Sequence, residues 1–208
     1  MQTKDYTTDL LPLIKSLCGV EFANLELPRI KAMVNSRAKR AYRASNFWPR
    51  FLVVGEERDV TNGYVPWTQA GLDSVDTFVI IHRSAPYIAD SAQNFDFYVD
   101  FTGAKIVDGD LNSASAYATY KKQTTSVYGD GTNGTTSSIP DEWFEYLAHG
   151  TYSDWLRSEG QMEKSQIADA EAMDKLTDEL IRIDEMRSSA LVSTRIQTNA
   201  NMQSRWSY

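Results

Sequence analysis

The sequence has a single cysteine, Cys18, and only two histidines, His82 and His149. One cysteine cannot form a disulfide within the chain, which fits a reducing compartment of assembly. A zinc site would need several carboxylates to complete it, and no paired spacing such as H-x-x-x-H occurs. We therefore expect Cys18 to be a small apolar residue of the first helix and the histidines to lie at the surface or at junctions. No metal and no cofactor is predicted.

Long apolar runs are also missing. No stretch of about eighteen apolar residues occurs, so no membrane span is expected. The N-terminus, MQTKDYTTD, has no basic start followed by an apolar segment, so we do not expect a signal peptide. A hydrophobic share of 42% and a charged share of 24% are typical of globular proteins. A chain of 208 residues can bury a core in one domain, or in one domain with an insertion.

Motifs of catalysis are absent as well. The glycine loop at residues 129–134 lacks the lysine-serine ending of a phosphate-binding loop, and no G-x-S-x-G occurs. Residues 108–112 resemble the start of a calcium loop, but Thr119 stands where that loop needs a glutamate. The sequence therefore predicts no catalytic and no metal-binding residues, and we expect a protein that is not an enzyme.

Charge of one sign is missing from two segments. Residues 27–55 contain seven bases and no acid, and residues 188–208 also contain no acid. By contrast, residues 141–187 contain thirteen acids and five bases. The net charge of −7 argues against nucleic-acid binding by the whole surface. The basic and acidic segments are expected to attract each other, within one subunit or between neighbours.

Helical patterns occupy both ends of the chain. Residues 5–19 have apolar residues at helical spacing, with Gly19 where a C-cap belongs and Pro12 placing the start near Leu10. A second helix is predicted to begin at Pro28 and to end near residue 45. After a loop at residues 129–138, Pro140 opens another helix, and a turn at Gly160 leads into a long one.

Four bases of the second helix fall within an arc of about 100° opposite its apolar stripe. They are possible subunit or DNA contacts: Arg29, Lys39, Arg40 and Arg43. Arg37 instead falls near the apolar stripe, so it is expected to have an acidic partner or to lie at an interface.

The long helix has a main apolar stripe and a weaker second patch. The main stripe is predicted to contain Met162, Met173, Leu176, Leu180 and Ile183. Ile167 and Ile181 lie off it. Such a helix either contacts a bundle mate and a neighbouring subunit, or packs twice within its own chain.

The middle of the chain is rich in β-prone residues. About five strands are expected between residues 50 and 127, with a turn at Asn62-Gly63. The predicted fold is α+β, a helical bundle with an inserted antiparallel β-sheet or small β-sandwich. Residues 1–49 and 139–187 would form the helical domain and residues 50–138 the inserted β domain.

Residues 188–208 are predicted to be an extended C-terminal arm. Trp206 and Tyr208 alternate as on one face of a strand, and aromatic residues, methionine and arginine are common at interfaces. The predicted partner-binding residues of this arm are Met202, Gln203, Arg205, Trp206 and Tyr208.

The order of these segments resembles that of a family of phage proteins. A helical pair ends at Phe47-Trp48-Pro49, a β-rich insertion follows, and then come Ile139-Pro140, a helix with Trp143 and Tyr146, a glycine-marked turn and a long helix. This layout is similar to the head–tail adaptors of short-tailed bacteriophages, the tail-tubular or head-completion connectors. The resemblance covers nearly the whole chain and rests on the order of short motifs.

The resemblance implies a structural role in the virion, at the portal vertex, after assembly in the host cytoplasm. Such adaptors form a ring of about twelve copies, whose contacts are heterologous. The ring joins the portal protein to the tail nozzle protein and extends a channel through which DNA passes without sequence-specific binding. The C-terminal arm would reach the portal. No membrane partner is implied.

Two alternatives stay open. The first is another structural tail-completion protein, which would form a different ring. The second is a small DNA-binding accessory protein that uses the basic segment 27–55, and steep salt dependence of its DNA affinity would favour it.

Overall fold

A computed structural model describes residues 2–86, 94–107 and 114–203, with side chains described as far as Arg187. The chain is a mixed, α+β protein that divides into two compact units. One unit contains residues 1–44 and 126–208, and the other contains residues 45–125. None of the described helices has a stretch apolar enough to cross a lipid bilayer.

The first unit begins with a strand, which the sequence did not predict. Strand β1 (Thr3–Asp5) leads through a π-helical turn into helix α1 (Leu11–Cys18). Gly19 ends α1 in the left-handed conformation, with a φ of 67°, and its N–H donates to the carbonyl of Lys15. The predicted start near Leu10 and the Gly19 cap are therefore confirmed. Helix α2 follows at Leu27–Ala44.

Residues 126–140 belong to this helical unit, although the sequence placed most of them in the β domain. Strand β8 (Ser138–Pro140) pairs antiparallel with β1. The amide of Asn35 donates to the carbonyl of Tyr128 at 2.9 Å and accepts from its N–H at 2.8 Å. An asparagine side chain thus satisfies both backbone groups of one residue, as a neighbouring strand would.

Two more helices complete the unit. A 3₁₀ turn over Asp141–Trp143 opens helix α3 (Phe144–Ser158), and helix α4 spans Met162–Gln203. The predicted extended arm from residue 188 is wrong as far as Gln203, because the backbone stays helical there. Residues 161–203 contain neither glycine nor proline, so nothing in this stretch breaks the helix. Residues 204–208 lie outside the described residues.

Helix α3 packs against α1, α2 and α4. On α4 the packed face is made largely of small residues: Ser165, Ala168, Ala172, Leu176 and Ile183. Small side chains let two helices approach closely, and the hydroxyl of Ser153 on α3 donates to the carbonyl of Ser165 at 2.8 Å. The predicted stripe is confirmed at Leu176 and Ile183. It is wrong at Met162 and Met173, which are exposed, because Ser165 and Ala172 face the core instead.

The second unit is a small antiparallel β-structure. Its six described strands are β2 (Leu52–Asp59), β3 (Tyr64–Pro66), β4 (Val75–His82), β5 (Phe97–Val99), β6 (Gly103–Ile106) and β7 (Ser115–Lys122). They form two sheets, in the orders β2-β7-β4 and β3-β6-β5. Side chains of both sheets share one core, which includes Val65, Phe78, Ile106 and Tyr120. An antiparallel β region between the helices is therefore confirmed, with six described strands where about five were predicted.

Several polar residues are buried in this β unit. The guanidinium of Arg58 lies 4.3 Å from the ring centre of Tyr120 and donates to Glu56 at 3.2 Å. His82, expected at the surface or a junction, is buried instead. Its Nδ1 lies 2.7 Å from Oδ1 of the Asn94 side chain and its Nε2 lies 3.4 Å from the Thr119 hydroxyl, so hydrogen bonds satisfy the imidazole in the interior.

Candidate partner-binding surfaces

A buried arginine, Arg37, forms an ion-pair cluster with carboxylates of two other helices. Its Nε and Nη2 atoms donate to the two carboxylate oxygens of Asp154 on α3, at 2.8 and 2.7 Å. Its Nη1 donates to Asp169 on α4 at 2.6 Å. Burial alone would lower the pKa of Arg37, but the two carboxylates outweigh burial and raise it. The prediction of an acidic partner for Arg37 is confirmed, and one side chain ties three helices together.

The Arg37 cluster fixes which side of α2 faces outward. Ile30, Val34 and Ala41 are buried on the same side as Arg37. The four predicted contact residues are all exposed on the other side, and we call them the basic face: Arg29, Lys39, Arg40 and Arg43. The sequence-based placement of these four residues on one exposed face is therefore correct.

The basic face has almost no acidic partners. Arg29 lies 3.9 Å from Glu159, both of them half exposed, which is a weak contact. Among the residues that the structure describes, the side chains of Lys39, Arg40 and Arg43 have no hydrogen bond or ion pair. Guanidinium groups bind carboxylate and phosphate oxygens in a bidentate manner. The basic face is therefore suited to an anionic surface, either protein or nucleic acid.

A second exposed surface lies on α4, on the side away from its packed face. Six of its residues fall within an arc of about 60°, and we call them the outward stripe: Glu163, Ile167, Asp174, Asp178, Ile181 and Glu185. Ile167 is 64% exposed and Ile181 is 52% exposed. The second packing within the chain, left open by the sequence, is therefore not formed at these two isoleucines.

The acids of the outward stripe are unpaired, like Lys39, Arg40 and Arg43 of the basic face. None of its four carboxylates lies within 4 Å of a cationic group among the described residues. The neighbouring acids of α4 are paired, for example Glu179 with Arg182 at 2.6 Å. The two isoleucines were predicted from the sequence as a second patch of the long helix, but the acids that share their face were not. The spacing of residues 167, 174, 178, 181 and 185, in steps of three, four and seven, would have placed them on one face of the helix.

The predicted portal-binding residues fall at the far end of the chain. The backbone of Met202 and Gln203 belongs to the last turn of α4, and their side chains are not described. Arg205, Trp206 and Tyr208 lie outside the described residues, as do residues 108–113 with the calcium-like pattern.

Other chemistry has little support in the described part of the chain. Among side chains described through Arg187, no three His, Cys, Asp or Glu groups are placed to hold a metal ion. A cleft of about 390 Å³ beside α3 and α4 is lined by lysines and acids, among them Lys4, Glu142 and Asp178. An ion pair of 2.8 Å between Lys175 and Glu145 lies in it. Two lysines and five acids line the cleft, so it is acidic overall, and it points to no particular reaction.

Comparison of the chain with models of known protein families gave no match, and neither did comparison with functionally curated proteins.

Proposed function

We propose that the protein is a structural head–tail adaptor of a short-tailed bacteriophage. Copies of it would form a ring of about twelve subunits that joins the portal protein to the tail nozzle protein. The ring would lie in the virion at the portal vertex and extend the channel through which DNA passes. The finer fold that belongs to this proposal is a helical bundle built from both ends of the chain.

The observation that carries the proposal is the chain's layout. The helices of one unit come from residues 1–44 and 126–203, and the β unit of residues 45–125 interrupts them. This layout supports the resemblance to the adaptor family. A ring subunit also needs two different complementary faces, and the two unpaired surfaces of opposite charge meet that need.

The C-terminal residues are the proposed portal contact. Trp206 would be the main apolar anchor and Arg205 an ion-pair donor, with Met202, Gln203 and Tyr208 beside them. Removal of residues 195–208 should leave the melting curve nearly unchanged and abolish portal binding. Wild-type affinity of the truncated protein for the portal would assign the contact to other parts of the chain.

The proposal is tested with the portal protein encoded by the same virus. Sedimentation velocity and negative-stain electron microscopy would compare the protein alone, the portal alone and their mixture. We expect a monomer or weak oligomer alone and a ring of added density on the portal in the mixture. A protein that does not bind the portal under any condition would contradict the adaptor function.

The basic face supports a second candidate, a small DNA-binding accessory protein. Three unpaired cations on one helix can contact phosphates, and each phosphate contact steepens the salt dependence of binding. Fluorescence anisotropy with a DNA duplex would measure the affinity at salt concentrations from about 50 to about 200 mM. DNA affinity that depends on phosphate contacts falls steeply over this range. Strong DNA binding that is lost in the double variant Arg40→Ser, Arg43→Ser would favour this candidate.

A further alternative is another structural tail-completion protein. Formation of a ring on tail proteins, and not on the portal protein, would favour it.

A further inference from the structure

We infer that the outward stripe of α4 is the docking surface for the basic face of a second copy of this chain. The inference rests on the proposed ring and names the contact that would build it. Acids of the stripe would pair with bases of the partner's α2. Two exposed apolar side chains toward the ends of the stripe, Ile167 and Ile181, would be covered by the same contact.

Exposure is the first step. Ile167 and Ile181 are 64% and 52% exposed, and they lie on the same side of α4, fourteen residues apart in sequence. They are separated by about 21 Å along the helix axis. Acids surround them, and no base shares the stripe. Exposed apolar side chains beside charged groups of one sign are suited to a partner surface of the opposite charge.

Spacing is the second step. Arg29 and Arg40 are eleven residues apart, and so are Asp174 and Glu185. Eleven residues make about three helical turns and 16 Å, so both members of each pair lie on one side of their helix. Two arginines of one copy can therefore meet two carboxylates of another at the same time. The stripe, about 33 Å long, exceeds the basic face, about 21 Å long.

Self-complementarity is the third step. Both surfaces belong to the helical unit, yet no hydrogen bond or ion pair joins them within the described residues. Each lies on the side of its helix that faces away from the packed core. Two complementary faces that do not meet within one chain can meet head to tail between chains. Such a contact is heterologous, and it closes into a ring when the rotation per subunit allows it.

The test uses charge reversal on each surface separately. Variant one carries Arg29→Glu and Arg40→Glu, and variant two carries Asp174→Arg and Glu185→Arg. Each should associate about tenfold more weakly than the wild type in sedimentation, since two exposed ion pairs become repulsive contacts. An equimolar mixture of the two variants should associate again, because the reversed α2 of one matches the reversed α4 of the other.

A chemical cross-link adds a positional readout. In a Cys18→Ser background, Ala32→Cys lies on the exposed side of α2 beside the basic face, and Ile181→Cys lies on the stripe. One chain with both cysteines should give a ladder of multimers with a short bismaleimide, most strongly on the portal. Each single-cysteine protein should give no ladder. Lys164→Glu is the matched control for the charge reversals of variant one. Lys164 is an exposed base of α4 outside the stripe, so its reversal should leave association unchanged.

The outcomes separate this inference from the adaptor function. If both reversed variants form normal rings on the portal, the inference is wrong and the adaptor function stands. If the protein does not bind the portal but the mixture of variants associates, the adaptor function is wrong and the contact stands. If variant one loses only DNA binding and still associates with itself, the basic face serves DNA and the inference is overturned. Melting curves of all variants should match the wild type.

Discussion

Gly150 of α3 lies directly against the side chain of Arg37. A Cβ atom added to Gly150 would come within 2.9 Å of Arg37 Cδ and 3.1 Å of its Nε. Arg37 cannot easily move aside, because its guanidinium is bound to Asp154 through Nη2 and to Asp169 through Nη1. The absence of a side chain at residue 150 is therefore what lets Arg37 reach the two carboxylates across α3.

Gly150→Ala is expected to destabilise the protein by about 1 kcal/mol. Alanine is favoured over glycine in a helix by about 1 kcal/mol, but an overpacked core side chain costs about 1–3 kcal/mol. Urea unfolding would measure the difference. In an Arg37→Ala background the clash is gone, so Gly150→Ala should there be neutral or stabilising. The same loss in both backgrounds would show that Arg37 is not the cause.

Arg37→Ala is expected to cost about 3 kcal/mol of unfolding free energy. Removal of one partner from a buried ion pair costs about 3–5 kcal/mol, and the low end applies because Asp154 and Asp169 retain 22% and 34% side-chain exposure. Arg29→Ala is the matched control on the same helix. Its side chain is half exposed and 3.9 Å from Glu159, so its loss should stay below about 0.5 kcal/mol. Equal losses in the two variants would contradict the role of the cluster.

Local signals predicted the elements of this fold well. The Asn62-Gly63 turn has φ angles of 53° and 77°, the left-handed pair that this dipeptide favours, so its prediction is confirmed. Arg37 was recognised because one charge among apolar residues on a helix requires a partner. Strand β1 was missed because three polar residues, Thr3–Asp5, carry no strand pattern. It exists because β8 supplies its hydrogen bonds from more than 130 residues away.

Of the two exposed surfaces, the basic face could be predicted from the sequence and the outward stripe could not. The basic face could be found because all its members carry one charge on one short helix. The outward stripe was hidden among thirteen acids of residues 141–187, and exposure alone does not separate paired from unpaired carboxylates. The choice of Ser165 and Ala172 over Met162 and Met173 for the packed face of α4 depended on the close approach of α3. Hydrophobicity alone would have placed the two methionines on the packed face.

Trp143→Ala should destabilise the protein by about 3–5 kcal/mol, because large aromatic side chains in cores cost that much to truncate. Trp143 is buried and meets the ring of Tyr128 edge-on, with centroids 6.5 Å apart. Trp155 is only half-buried and stacks on Tyr152 at 6.4 Å, so Trp155→Ala should cost about 1–2 kcal/mol. Urea unfolding of the two variants gives the comparison. An unchanged stability of Trp143→Ala would mean that Trp143 does not anchor the packing of the helical unit.

The last prediction concerns acid and the start of the first helical segment. Asp5 Oδ1 accepts hydrogen bonds from the backbone N–H groups of Thr7 at 2.7 Å and Thr8 at 2.9 Å. The N–H of Thr8 above all favours the charged carboxylate, which holds the pKa of Asp5 below its ordinary value of 3.8. Loss of such a cap in Asp5→Ala should cost about 1 kcal/mol at pH 7.

This contribution of Asp5 has a defined dependence on pH. Because the pKa is lower in the folded state, the stabilisation is complete above 3.8, the pKa in the unfolded chain, and is lost as the pH falls through the lowered folded value. The stability difference between wild type and Asp5→Ala should therefore shrink below about pH 4. Asp5→Asn is the control, since its amide oxygen still accepts but does not titrate, and its difference from Asp5→Ala should stay constant. Urea unfolding at pH 7, 5 and 3 would measure all three proteins. A wild-type difference that is the same at every pH would show that the Asp5 carboxylate does not cap this segment as a charged group.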